Sequence, residues 1–144
     1  EFEQSEGDCE RGLELDPNRV DGYLALAELY QENNRRELAR SAIDSSLAID
    51  ETGKAYYLMS AIDLDEGQWE DALEHLARSI ELDPTSQEAL WSRGMLYLAM
   101  GESEKAVDDM NSILDASTTK KHGDWMFRAS SQINLLTDEQ PSSD

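Results

Sequence analysis

The sequence predicts an all-α fold, a solenoid of about eight helices in which helical hairpins pile side by side. Three observations predict it. First, LELDP (13–17), LAIDE (47–51) and IELDP (80–84) resemble one another, and Pro17 and Pro84 lie 67 residues apart. That is close to twice a period of about 34, the spacing of stacked helical hairpins. Second, apolar residues recur at helical spacing, as in Tyr23, Leu26, Ala27 and Tyr30, and again in Ala39, Ala42, Ile43 and Leu47. Third, breakers separate these stripes. Gly67 and Gly101 sit where a helix must end and the chain reverse. Asp16-Pro17 and Asp83-Pro84 stop one helix and open the next, because proline lacks an amide donor and restricts its predecessor.

The stretches 55–84 and 89–114 resemble tetratricopeptide repeats. The family pattern runs large residue, Leu, small residue, aromatic, Gly, aromatic, Ala, large residue, small residue, Pro. In residues 20–52 it falls on Tyr23, Leu26, Ala27, Tyr30, Asn34, Arg36, Ala39, Ile43, Ser46 and Glu51. In residues 53–86 it falls on Tyr56, Met59, Ser60, Asp63, Gly67, Trp69, Ala72, Leu76, Ser79 and Pro84. In residues 87–120 it falls on Leu90, Arg93, Gly94, Tyr97, Gly101, Ser103, Ala106, Met110, Ile113 and Thr118. The resemblance implies a right-handed α-α superhelix, and a module that binds other proteins without catalysis.

Each element follows in order. Residues 3–15 read as one helix. In the family's register Phe2, Ser5, Cys9 and Gly12 match the second half of a repeat, so the chain reads as starting inside a repeat of a longer protein. Helices near 19–33 and 36–49 form the first complete unit, which is one residue short near Thr52-Gly53. Helices near 54–66 and 69–82 form the second, where Asp63 replaces an aromatic and either weakens packing or marks something local. Helices near 87–100 and 103–116 form the third. Small residues at Ala27, Ser60 and Gly94 let each pair approach closely. Residues 121–136 read as a last helix, in which Trp125, Phe127 or Ala129, Ile133 and Leu136 cover the final apolar face, as a solenoid end requires. The domain is therefore 1–137, with a half-repeat at 1–17, repeats at 20–52, 53–86 and 87–120, and a capping helix at 121–137. The polar tail 138–144 is expected to be disordered.

Charge and composition bound the function. The 144 residues carry 12 Lys+Arg against 32 Asp+Glu, a net charge of −20. Residues 1–52 hold 14 acids and 5 bases, whereas residues 120–144 hold 4 and 3, so the acidity fades along the chain. Such a surface argues against nucleic acid, which requires a basic face, and against anionic lipid. It fits a solvated surface, a salt-loving host or a basic partner. No apolar run reaches the roughly 20 residues needed to cross a bilayer. A soluble protein is expected, the cytoplasm being favoured. A lone cysteine, Cys9, excludes an internal disulfide framework and reads as a buried thiol.

Catalytic and metal motifs are expected to be absent. Asp63 to Glu74 is loosely like a calcium loop, but the glycine is one position early and no third Asp or Asn fits. His75 and His122 lack ligands at metal spacing and read as surface histidines. Ser117-Thr-Thr-Lys120 spells S-x-x-K without its companion motifs, so it reads as chance. No nucleophile elbow, phosphate loop or dinucleotide fingerprint occurs, and no cofactor is expected. What remains is a binding surface. The first helix of each unit should present Asp21, Leu24, Glu28, Gln31 and Glu32, then Lys54, Tyr57, Ala61, Leu64 and Asp65, then Glu88, Trp91, Met95, Leu98 and Ala99, to a concave groove. The last helix adds His122, Trp125 and Ala129. Tyr57, Leu64, Trp91, Met95 and Leu98 have no obvious core partner; an exposed apolar strip marks a contact surface, unless a flanking helix at 121–137 folds over it as core. Family members that clamp acidic chaperone tails use inward Lys, Asn and Arg. Only Lys54 matches in type, so no such clamp is expected. The expected partner is a peptide or helix with apolar anchors on Trp91 and Tyr57 and a Lys or Arg near Glu28. The alternatives are self-association, giving a homo-oligomer, and a structural spacer.

Overall fold

The computed structural model describes residues 1–116 and 123–138. Ser117, Lys120 and His122, and the tail beyond Asp138, lie outside the described residues. Among those described there are eight α-helices and no strand: α1 (Phe2–Leu15), α2 (Val20–Glu32), α3 (Arg36–Ile49), α4 (Gly53–Asp65), α5 (Trp69–Leu82), α6 (Gln87–Ala99), α7 (Ser103–Ala116) and α8 (Gly123–Asp138). The fold is an all-α helical repeat. Every helix end lies within about two residues of the position read from sequence. The chain divides into two compact units, residues 1–82 and 83–144.

The turns are local in origin and nearly identical. Asn34, Gly67 and Gly101 adopt φ of 61°, 73° and 81° at the ends of α2, α4 and α6. In each case the next residue's amide donates to the carbonyl five residues back: Arg35 to Tyr30, Gln68 to Asp63 and Glu102 to Tyr97, all at 2.8 Å. The left-handed residue itself donates to the carbonyl three residues back, at 3.0, 3.1 and 3.0 Å. This is a Schellman stop, which satisfies carbonyls that a helix end would orphan. Asn34 fills a glycine position because asparagine tolerates left-handed backbone better than most residues. The opposite ends use side chains. Thr52 and Ser86 accept from the amides of Ala55 and Ala89 at 3.2 and 3.3 Å, capping α4 and α6. Asp16 and Asp83 accept from the amides two residues on, folding the Asp-Pro turns. The short first repeat is explained here, since three residues join α3 to α4 where four join α1 to α2.

In unit 1 the hairpins α2/α3 and α4/α5 are the tightest pairs. The α1 helix packs on α2, and α4 packs on both α2 and α3. Leu24, Leu26, Ala27, Tyr30, Ile43, Leu58, Met59 and Ile62 anchor one apolar core, against which Phe2, Cys9, Leu13 and Tyr57 pack partly buried. Cys9 is thus half-buried rather than sealed in the interior. Burial, then the hydrogen bond and charge of Glu6, push the Tyr30 phenol up to about 12. The buried hydroxyls are satisfied: Ser46 donates to the Ile43 carbonyl at 2.8 Å, Ser60 to that of Tyr57 at 2.6 Å, and Ser79 to that of Gly53 at 2.8 Å. In unit 2, α7 packs against both α6 and α8. Leu90, Gly94, Ala106, Met110, Ile113 and Ala129 are buried there.

A side chain added at Gly67 would meet nothing within 4 Å, so its cost is backbone strain alone. Gly67→Ala should therefore destabilise unit 1 by about 1–2 kcal/mol in urea unfolding. Asn34→Gly should leave stability unchanged or raise it.

Candidate functional site

The residues expected to meet a partner lie on the first helix of each hairpin, and the two units are taken in turn. In unit 1, Asp21 and Glu32 are exposed on α2. Leu24, expected on an open face, is instead a core residue with 4% exposure. The cause is that α2 has neighbours on three sides, α1, α3 and α4, so little of its circumference stays open. Glu28 and Lys54, expected to offer charge to a partner, neutralise each other through a 3.0 Å ion pair between α2 and α4. Exposed as it is, that pair adds little stability. Gln31 donates its amide to the Leu58 carbonyl at 3.0 Å, a second link between the same helices. Tyr57 and Leu64 are half-buried on α4, and Ala61 is also half-buried. Asp65 is exposed, 3.7 Å from Arg36.

The same unit holds a charge network in which the sequence marked only Asp63. That carboxylate stands at an aromatic position of the pattern and is 1% exposed. One oxygen accepts from Arg40 at 3.0 Å and the other lies 2.5 Å from His75 Nδ1. Arg40 also reaches Glu66 at 3.0 Å. A carboxylate buried without partners would cost several kcal/mol, on the order of 3–5, so Asp63 depends on these contacts. His75, read as a surface histidine, is half-buried for the same reason, and its ring stacks on Tyr56 at 6.1 Å and 27°. Burial opposes the Arg40 charge, but the hydrogen bonds and charges of Asp63 and Glu66 outweigh it and raise its pKa. Nearby in sequence, Glu51 stands at the position that Pro17 and Pro84 hold in the neighbouring units. It accepts from Tyr56 and from Arg78, each at 2.7 Å, which holds its carboxyl below the usual range. The Glu51 bond raises the Tyr56 phenol in return.

In unit 2, Trp91 is half-buried and its ring lies 5.9 Å from that of Trp125, tilted by 59°. Arg128 lies 5.1 Å over Trp125. Met95 is 39% exposed and Leu98 half-buried, while Glu88 and Ala99 are exposed. Ala129, expected on the inward face, is fully buried. Arg93 occupies a leucine position of the pattern. It grips Asp109, 3% exposed, through two hydrogen bonds of 2.9 and 2.6 Å that join α6 to α7. That bond raises the Arg93 pKa against the opposing effect of burial. Among the described residues no three His, Cys, Asp or Glu side chains group as a metal site. No described helix is long and apolar enough to cross a membrane.

A family model described as TPR repeat matches residues 62–101, and one described as tetratricopeptide repeat matches residues 88–116. The second match runs from the capped start of α6 through the Gly101 stop to the end of α7. The chain carries tetratricopeptide repeats over residues 62–116. It is 26% identical over 127 residues to tetratricopeptide repeat protein 6 of Homo sapiens, covering 83% of this chain and 24% of that protein. It spans a quarter or less of the length of the curated relatives it matches. Its fold is similar to the crystal structure of MamA, with a TM-score of 0.75, 22% identity, and coverage of 95% of this chain and 77% of that one. It is also similar to YrrB, described as a TPR protein with an unusual peptide-binding site, with a TM-score of 0.66, 20% identity, and coverage of 96% and 71%. Tetratricopeptide repeats generally mediate contacts between proteins and are generally non-catalytic.

The Arg93–Asp109 pair replaces an apolar contact between paired helices of this repeat. Asp109→Ala should therefore lower stability by about 2–4 kcal/mol, because it strands a half-buried guanidinium. Adding Arg93→Leu, which restores the pattern residue, should recover most of that loss in a denaturation cycle.

Proposed function

We propose that this chain is a non-catalytic module that receives a polypeptide segment bearing apolar anchors and basic residues. The observation that carries the reading is the face of α6. Trp91, Met95 and Leu98 follow one another at helical spacing, and Met95 stays exposed although the unit's core is filled by other residues. Aromatic residues and Met are favoured interface anchors because they offer large, adaptable apolar area. On α4, Tyr57 and Leu64 offer a second such edge. The basic preference rests on Asp21, Glu32, Asp65 and Glu88, all exposed, and on the net charge of −20. Glu28 is withdrawn from that role by Lys54, and Leu24 by burial. Trp125 shares the Trp91 face and belongs to the contact. The domain in this reading comprises the half-repeat 1–17, repeats at 20–52, 53–86 and 87–120, and the capping segment 121–137. YrrB, with its described peptide-binding site, supports a peptide as the kind of ligand this fold accepts.

Selection of a random peptide display library on the immobilised chain, with each enriched peptide then assayed against Trp91→Asp, tests the proposal. Enriched peptides should pair aromatic or aliphatic anchors with Lys or Arg, and their affinity should fall as salt screens the charges. Trp91→Ala should weaken them about tenfold or more with helical content unchanged. Peptides that bind the wild type and Trp91→Asp equally would overturn the assignment.

A further inference from the structure

Within unit 2 the start of α7 and the end of α8 enclose an open groove of about 460 Å³, walled by Ser103, Glu104, Val107, Asp108, Leu136 and Thr137. Val107 and Leu136 are half-buried, whereas Glu104 and Asp108 are exposed. The two acids stand four residues apart on α7, where like charges repel across about 5–6 Å. Neither carboxylate has a hydrogen bond or ion pair among the described residues. The bases on these two helices are engaged elsewhere. Lys105 lies 3.4 Å from Glu102 and 5.4 Å over the Tyr97 ring, and Arg128 lies over Trp125. Residues 139–144 contain no Lys or Arg. Thr137 donates its hydroxyl proton to the Asn134 carbonyl at 3.1 Å, so its oxygen is left to accept. Unit 1 treats the equivalent junction differently. In the repeat register Arg36 and Arg40 of α3 stand where α7 has Ser103 and Val107. Arg40 bridges Asp63 and Glu66 of α4 at 3.0 Å each, and Arg36 lies 3.7 Å from Asp65. The α7/α8 junction has acids but no guanidinium of its own.

We propose that this groove receives an arginine side chain from a partner polypeptide. Its methylene stem lies along Val107 and Leu136, as long basic side chains cover apolar surface while keeping the charge in water. Its planar guanidinium spans Glu104 and Asp108, in the way that Arg40 spans two acids in unit 1. Five donors in a fixed fork suit that task better than the point charge of lysine. The C-terminal end of α8 favours a cation at the same place. Calcium fits poorly, because it takes six to eight oxygen ligands and part of this wall is apolar. The groove shares no residue with the Trp91 face of α6, so the two surfaces stand or fall separately.

NMR titration of the full chain with Nα-acetyl-argininamide tests the proposal, with the methyl resonances of Val107 and Leu136 as reporters. They should shift saturably. Glu104→Gln/Asp108→Asn should weaken the probe about fivefold or more. Nα-acetyl-citrullinamide, which keeps the shape and loses the charge, should not bind, and Nα-acetyl-lysinamide should bind more weakly than the arginine probe. Val107→Arg, which restores the arrangement of unit 1, should fill the groove and abolish binding as read at Leu136. All these substitutions lie at the surface or the groove wall, and circular dichroism should show the helices retained. An absence of saturable shifts at Val107 and Leu136 overturns the proposal. So do shifts spread evenly over the acidic surface, binding retained in Glu104→Gln/Asp108→Asn or in Val107→Arg, or citrulline or lysine probes that bind as tightly as arginine.

Discussion

Two short amphipathic helices bury their apolar stripes only if their backbones come close, and in this chain one small side chain per repeat sets that approach. Ala27 and Ser60 are wholly inaccessible to solvent, and Gly94 is buried at the equivalent place. The tolerance is narrow at Gly94. A Cβ there would lie 2.6 Å from the Met110 methyl and 3.4 Å from the Asp109 Cβ. Everything else depends on this spacing. It brings α6 near enough to α7 for Arg93 to grip Asp109, and it fixes which side of α6 is left to carry Trp91 and Met95. The turns cooperate by reversing the chain within three residues, so that each pair meets in register.

The second feature is how charge enters an apolar pattern. Asp63 and Arg93 both occupy positions where the repeat has a large apolar side chain, and each is held by partners from another helix. Buried ion pairs of this kind contribute little net stability compared with well-packed apolar residues, yet losing one member is expensive. They restrict which helix can pair with which. Among the described residues the remaining acids are at least partly exposed to solvent.

The helices and their stops were legible because their causes are local. Glycine or asparagine at a left-handed position, Asp-Pro at a turn and hydroxyls at a cap act over a few residues. The repeat register even placed Asn34 in a glycine position. The candidate site was less legible, because its residues are defined by neighbours distant in sequence. Periodicity located Leu24 on one side of α2, but only the number of helices around α2 decides that this side is closed. Glu28 and Lys54 meet across 26 residues, and Asp63 and His75 across 12. No composition rule pairs them, although the break in pattern at Asp63 was visible. In α8 the register offered Phe127 or Ala129 for the covering stripe and Ala129 also for the groove; packing on α7 takes Ala129 and leaves Phe127 exposed.

The denaturation midpoint of Gly94→Val reports whether a small residue sets the distance between α6 and α7. If paired helices are held at the distance a small residue allows, two added methyl groups and a branch cannot be absorbed by Met110 alone. The variant should lose about 1–3 kcal/mol with an unchanged denaturant slope. A variant as stable as the parent, with its helices intact, would contradict the account.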